Sequence, residues 1–269
     1  MDDRIETLQR RAAALRRHVI GIAEAQYCHL GGSLSCAEII AALFFDVLQL
    51  EDTPGRRRDR FLLSKGHAVH VFHAVLAERG LIDAAELPRS GHSGSRLAGH
   101  PTRRAPGVEF ATGSLGHALP VALGIGLAEQ LDASPSRTVV LLGDGELQEG
   151  TIWEAALAAP RFGLPNLLAI VDYNRFQSAG AVDDVMPLEP LADKWRAFRW
   201  RVREIDGHDP RAVLDALDAP PAADAPTVLI AHTVKGKGVP GVEGTARAHY
   251  TQLSAEEAAG ARAALEATP

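Results

Sequence analysis

The chain has 269 residues, with 28 Lys and Arg against 34 Asp and Glu for a net charge of −6, and 46% of it is hydrophobic. At this size a domain buries roughly three-quarters of the surface its unfolded form exposes, so neither disulfides nor metal staples are needed to hold a core. The mild acidic excess excludes the clustered basic footprint of nucleic-acid or anionic-membrane binding, and no apolar run reaches the ~18 residues of a membrane span.

Apolar residues recur every three to four positions from Ile5 through Ala23, the period of an amphipathic helix, which is expected to run to about Leu30. Gly31 and Gly32 are expected to break it. Ser35 with Glu38 three residues on reads as a capping box opening a second helix to about Leu48. After a polar turn at 51–59, the apolar run Phe61–Ser64 leads into Lys65-Gly66-His67 and a helix over Val69–Arg79. The segment Leu81–Pro106 is rich in Gly, Pro, Ser and Arg and has no period; at that length a loop is usually functional or disordered, and a functional loop is the preferred reading.

From Thr112 the elements alternate: helix Leu115–Leu131, strand Thr138–Leu142, helix Thr151–Ala159, strand Leu167–Asp172, strand Arg201–Ile205, helix Arg211–Leu217 and strand Thr227–His232. An Ala/Pro linker covers 219–226 and a short helix covers 254–267. Val- and Leu-rich strands separated by helices predict an α/β fold, a mostly parallel central sheet with helices on both faces, here as one domain over 1–269. Gly124-Ile125-Gly126 is not a dinucleotide fingerprint, because no strand precedes it and its third glycine position holds Glu129. The charged start Met1–Arg17 is not a secretory leader, and Cys28 and Cys36 fit neither a zinc spacing nor a disulfide framework, so the expected setting is the reducing cytoplasm.

Strand Val139–Leu142 runs into Gly143-Asp144-Gly145-Glu146, and the next strand ends in Asp172-Tyr173-Asn174-Arg175-Phe176. A carboxylate between glycines at the carboxyl end of a buried strand suits a hard cation. With an asparagine on the neighbouring strand end, it supplies two oxygens to Mg2+, Ca2+ or Mn2+, with a backbone carbonyl and phosphate oxygens completing the shell. Taken singly, each piece also fits an Asx-turn.

Together, about thirty residues apart, they make the Gly-Asp-Gly…Asn signature of thiamin diphosphate enzymes, and the chain resembles the transketolase family in particular. Ser64-Lys65-Gly66-His67, Gly99-His100-Pro101, Thr112-Gly113-Ser114-Leu115-Gly116, Asp206-Gly207-His208-Asp209 and His232-Thr233-Val234-Lys235-Gly236-Lys237-Gly238 match that family in order, across about Gly31 to His249.

The resemblance implies that Asp144, Asn174 and the Phe176 carbonyl hold the metal. Gly145 lets the backbone approach a phosphate, Gly113, Ser114 and Leu115 line the cofactor, Glu146 lies in the signature itself, and Glu149 stands at a subunit interface. It implies that His67 meets the diphosphate and that His29, His100 and His249 surround the reacting carbons of a sugar or sugar phosphate, with His249 also at the cofactor. The implied activity is transfer of a two-carbon ketol unit from a ketose to an aldose. Pro269 ends the chain where a full-length family member would continue, so the resemblance implies the diphosphate-binding half of a split enzyme. Its partner would be a separate pyrimidine-binding C-terminal subunit, in an α2β2 heterotetramer.

Departures from the family pattern fall on the substrate side. Tyr27-Cys28-His29-Leu30-Gly31 replaces Ser-Gly-His-Pro-Gly; His70 and His73 stand where proline and an aromatic are usual; His117-Ala118 replaces Gln-Gly; and Ala248-His249-Tyr250 replaces a tryptophan-histidine pair. These suggest a substrate other than the ordinary pentose phosphates. His67, His70 and His73 share a helical face but lack the carboxylate that would complete a zinc set. Two alternatives stay open: the α subunit of a 2-oxo acid dehydrogenase, and a non-catalytic subunit that keeps the fold.

Overall fold

The computed structural model describes residues 2–54, 56–221 and 223–267. Ala222, within the expected Ala/Pro linker, and the chain ends lie outside the described residues. A five-stranded sheet carries the fold: β1 (Arg60–Leu63), β2 (Thr138–Gly143), β3 (Leu167–Tyr173), β6 (Arg201–Asp206) and β7 (Thr227–His232), in the order β1-β2-β3-β7-β6. Every neighbouring pair in it is parallel. β2, β3 and β7 are buried almost throughout, as continuous Val, Leu and Ile runs demand when both sheet faces are covered.

On one face pack α1 (Asp2–Ala25), α2 (Leu30–Leu34), α3 (Ala37–Ala42), α4 (Val69–Glu78), α9 (Pro210–Asp218) and α10 (Ala255–Ala267). On the other pack α5 (Ala118–Leu131), α6 (Gly150–Phe162) and α8 (Leu191–Ala197), with Trp195 fully buried between Trp153 and Trp200. The pattern did not announce α8, the single-turn α7 (Val182–Val185), or the two-residue strands β4 (Phe176–Gln177) and β5 (Gly180–Ala181), which pair antiparallel just after β3. Among the described residues no helix is long and apolar enough to cross a membrane. Both cysteines are free and buried.

Two local expectations are corrected. Gly31 and Gly32 do not break a helix but lie inside α2, after α1 has already ended at Ala25. Ser35 and Glu38 form no capping box: α3 has Cys36 at its N-cap with no side-chain bond, and Leu43–Val47 continues it as a π-turn. Their side chains are taken by stronger partners. Ser35 Oγ donates to Asp172 at 2.7 Å, and Glu38 accepts from Arg16 at 2.5 and 2.8 Å and faces His208 Nδ1 at 3.2 Å. The long loop is ordered by burial of Leu87, Ser90, Leu97 and Ala105. A capping box forms inside it instead, where Asp83 accepts from Ala85 and Glu86 accepts from Asp83.

Strand register sets the site. Gly143 on β2 is level with Asp172 on β3, and Asp172 is level with Ala231 on β7. Asp144, Asp172, Asn174 and Thr233 therefore emerge side by side at the carboxyl edge, where parallel α/β sheets bind ligands.

Candidate active site

A cavity of about 230 Å³ opens at that edge, lined by His29, His67, His100, Gly113, Leu115, Asp144, Gly145, Glu146, Asn174, Phe176, Lys235 and His249, among others. Asp144 is 2% exposed. Its Oδ1 accepts from the Gly145 N–H at 2.8 Å and its Oδ2 from the Arg175 N–H, which aims the remaining lone pairs at the cavity. Burial and the neighbouring Asp172 charge push its carboxyl up, the expected strain on an anion that lacks a full cationic partner.

Asn174 is 5% exposed, and its Oδ1 accepts from the Phe176 N–H at 3.2 Å. The Phe176 carbonyl accepts from Lys235 Nζ at 2.7 Å. Carboxylate, carboxamide and carbonyl oxygens form a hard donor set suited to Mg2+, Ca2+ or Mn2+. Among the described residues no three His, Cys, Asp or Glu side chains gather into a metal set, so an ion here relies on ligand oxygens such as those of a diphosphate.

Four histidines from four separate segments meet above this donor set. His29 precedes α2, His67 sits in the turn after β1, His100 comes from the long loop and His249 from the turn Ala246–His249. The His29 ring centre lies 5.6 Å from His67, 5.8 Å from His100 and 5.4 Å from His249, and His67 lies 5.6 Å from His249. Gly32 makes room for them: a Cβ there would stand 2.8 Å from His67 Nε2.

Burial holds these imidazoles neutral. His29 and His249 are pushed down to about 4, His67 well below its ordinary value, and His100 lowered, with neighbouring imidazoles or Lys235 adding to burial for the first three. Neutral rings keep one donor and one acceptor nitrogen each, the equipment for holding hydroxyl and carbonyl oxygens.

Not every expected residue reaches the cavity wall. Ser114 and Glu149 are exposed and outside the lining. Glu146 lines it, but its carboxylate is engaged within the protein, accepting from Ser64 Oγ, from Gly116 N at 2.8 Å and from Gly143 N at 3.0 Å. Lys235, quoted above within a motif but given no role, is 1% exposed and reaches His249 Nδ1 at 3.0 Å; burial pushes its ammonium down. A lysine three residues past the end of a buried strand was the signal for it. Gln177 and Ser178 complete the wall from the hairpin turn. At the rim, exposed Tyr27 and Tyr250 stack at 5.9 Å, and Tyr250 meets His29 edge-on at 4.9 Å.

Residues 9–269 match the family described as the transketolase, thiamine diphosphate binding domain. An apulose-4-phosphate transketolase subunit of Phocaeicola vulgatus is 40% identical over 257 residues, which cover 94% of this chain and 92% of that one. The 6-deoxy-6-sulfo-D-fructose transketolase subunit SqwG of a Clostridium species is 41% identical over 242 residues, 88% of each. The crystal structure of transketolase from Campylobacter jejuni superposes with a TM-score of 0.89 at 30% identity, over 97% of this chain and 43% of that one. With its sheet, its strand-end donor set and these relatives in agreement, the chain belongs to the transketolase family, in its thiamin diphosphate-binding domain.

Proposed function

We propose that this chain is the thiamin diphosphate-binding subunit of a two-chain transketolase, moving a two-carbon ketol unit from a ketose to an aldose. The observation that carries this is the convergence of His29, His67, His100 and His249 over Asp144, Asn174 and the Phe176 carbonyl in one cavity. Asp144, Asn174 and Phe176 would hold Mg2+, and His67 and Lys235 face the same space as donors to a diphosphate. Gly145 and Gly113 bring backbone close to the ligand, and Leu115 braces it. When bound, thiamin diphosphate supplies the nucleophilic carbon that attacks the ketose carbonyl.

The protein's part is proton management. His29, His100 and His249, neutral by burial, accept a proton from the substrate hydroxyl as the carbon–carbon bond breaks and donate hydrogen bonds to the carbonyl oxygen that develops charge. The edge-on contact of Tyr250 with His29 fixes one ring's orientation. Exposed Glu149, at the start of α6, faces outward and is assigned to a subunit interface.

Both relatives described above are named as single subunits of a transketolase, which supports a separate pyrimidine-binding partner, and we favour an α2β2 assembly in the cytoplasm. They are named for apulose 4-phosphate and 6-deoxy-6-sulfo-D-fructose, and the Tyr27–Tyr250 rim distinguishes this site from the family pattern, while His70 and His73 are buried outside the cavity lining. The substrate is accordingly an anionic sugar other than the pentose phosphate pair. Efficient xylulose 5-phosphate to ribose 5-phosphate transfer would overturn that part alone. The central reading is tested by calorimetry and assay of the chain mixed with its partner subunit. Binding of Mg2+ and thiamin diphosphate should be lost in Asp144→Ala, and unchanged activity of that variant would refute the site.

A further inference from the structure

Asp172 accepts four side-chain hydrogen bonds, yet nothing in the metal and diphosphate reading uses it. It is fully buried at the end of β3, two residues before Asn174. Its Oδ1 accepts from Thr233 Oγ1. Its Oδ2 accepts from Ser35 Oγ at 2.7 Å, from Asn174 Nδ2 at 2.8 Å and from the fully buried Lys65 ammonium. Four donors from within the protein hold it, and it is not among the residues that line the cavity.

Three of its donors come from segments far apart in the chain. Ser35 stands between α2 and α3, Lys65 follows β1 and Thr233 follows β7. Thr233 in turn packs on Gly207, where a Cβ would stand 2.4 Å from its Cγ2. His208 Nε2 accepts from the Val234 N–H at 2.9 Å, fixing the same turn. Four stretches of chain are thus spent on holding one acid in one orientation.

What that orientation controls is the carboxamide beside it. A carboxylate whose charge is balanced by a lysine only accepts hydrogen bonds, so Asn174 must turn its NH₂ toward Asp172 and its oxygen the other way. The Phe176 N–H, donating to Asn174 Oδ1 on the far side, demands the same sense. Asn174 Oδ1 keeps its second lone pair for the cavity.

We propose that Asp172 is the positioning residue of the metal centre, setting the polarity of the Asn174 carboxamide so that its oxygen, and not its nitrogen, faces the cation. This rests on the metal-diphosphate reading of the same cavity. Asp172 acts through Asn174 and is not itself a ligand. Removing such an outer partner typically weakens metal binding about 10- to 100-fold.

The test measures Mn2+ affinity of the chain mixed with its partner subunit at fixed thiamin diphosphate by calorimetry, alongside thermal melting. Asp172→Asn sets an NH₂ against the donors that surround it, and affinity should fall at least about 10-fold. Asn174→Asp sets two carboxylates together and should fall likewise. Thr233→Val removes one donor and leaves the Lys65 charge paired; it keeps the test decisive if Asp172→Asn does not fold, with an expected loss of about fivefold. A merely structural Asp172 would lower the melting temperature while the folded fraction bound Mn2+ with native affinity. Native affinity in folded Asp172→Asn or Thr233→Val overturns the proposal. Failure of the wild-type pair to bind Mn2+ with thiamin diphosphate refutes the underlying site reading instead, and the proposal falls with it.

Discussion

Lys235 illustrates how much a single side chain owes to its surroundings. Its ammonium is 1% exposed, bonded to the Phe176 carbonyl and facing His249, and its charge is balanced by Asp144 and Asp172 at a distance. Taking an ammonium out of water is costly unless charge nearby repays it, and a diphosphate in the cavity would do so. Lys235→Met should therefore weaken thiamin diphosphate binding by the ~1.5–3 kcal/mol of a hydrogen bond to a charged group, about 10- to 100-fold by calorimetry at saturating Mg2+. Unchanged affinity would remove Lys235 from the diphosphate site. Asp144 and Asn174 were legible as donors because glycines and a strand end flank them locally. Lys235 was not, because its value lies in neighbours from β4 and from the turn holding His249.

At the scale of elements, α2 and α3 show local pattern overridden by tertiary demand. Ser35-x-x-Glu38 has the spacing of a capping box, worth ~1 kcal/mol on a helix end, but a buried carboxylate and a buried guanidinium compete for those two side chains. The Arg16–Glu38 pair, with side chains 8% and 10% exposed, clamps α1 to α3, and His208 extends it to the start of α9. Burial alone would raise the Glu38 carboxyl, but the Arg16 charge and the His208 bond outweigh it and hold it at about 2. Glu38→Ala leaves Arg16 buried without its partner and should destabilise the fold by ~3–5 kcal/mol in urea denaturation. A loss below ~1 kcal/mol would show that the guanidinium finds water or the Leu34 carbonyl sufficient. α1, α6 and α9 were legible over most of their length, since each has a one-sided apolar stripe. α8 was not, because its burial rests on aromatic packing around Trp195 and not on a repeat long enough to read.

Across the whole molecule, the neutral histidines give stability a pH dependence. His70 and His73 are 3% and 0% exposed, and burial pushes them down to about 3 and about 4 from an ordinary 6.5. Above pH 6.5 they are neutral folded or unfolded and contribute nothing. Below it the unfolded chain binds protons that the folded chain refuses, so stability falls on acidification from 6.5 toward 4, by up to about 1.4 kcal/mol per pH unit for each histidine. Denaturation midpoints measured at pH 7.5, 6 and 5 should decline in that order, and His73→Phe should flatten the decline. A profile unchanged between pH 7.5 and 5 would mean that these rings find protons or water in the folded state.

The fold class and the candidate donor set were written in the sequence, because each depends on residues close together in the chain: Val and Leu runs make buried strands, and an acid between glycines at a strand end stands at the sheet edge whatever lies beyond. The assembly of the site was decided only by tertiary structure. His29 and His249 meet across 220 positions because Cys28 and Thr251 pair by backbone hydrogen bonds, exchanging N–H and C=O at 3.0 Å in each direction. Lys65, Ser35 and Thr233 reach Asp172 because parallel strands in register bring distant segments to one edge of the sheet. Hydrogen bonds and ion pairs act over a few ångströms in space, and spacing along the chain carries no record of which segments the sheet will place within that reach.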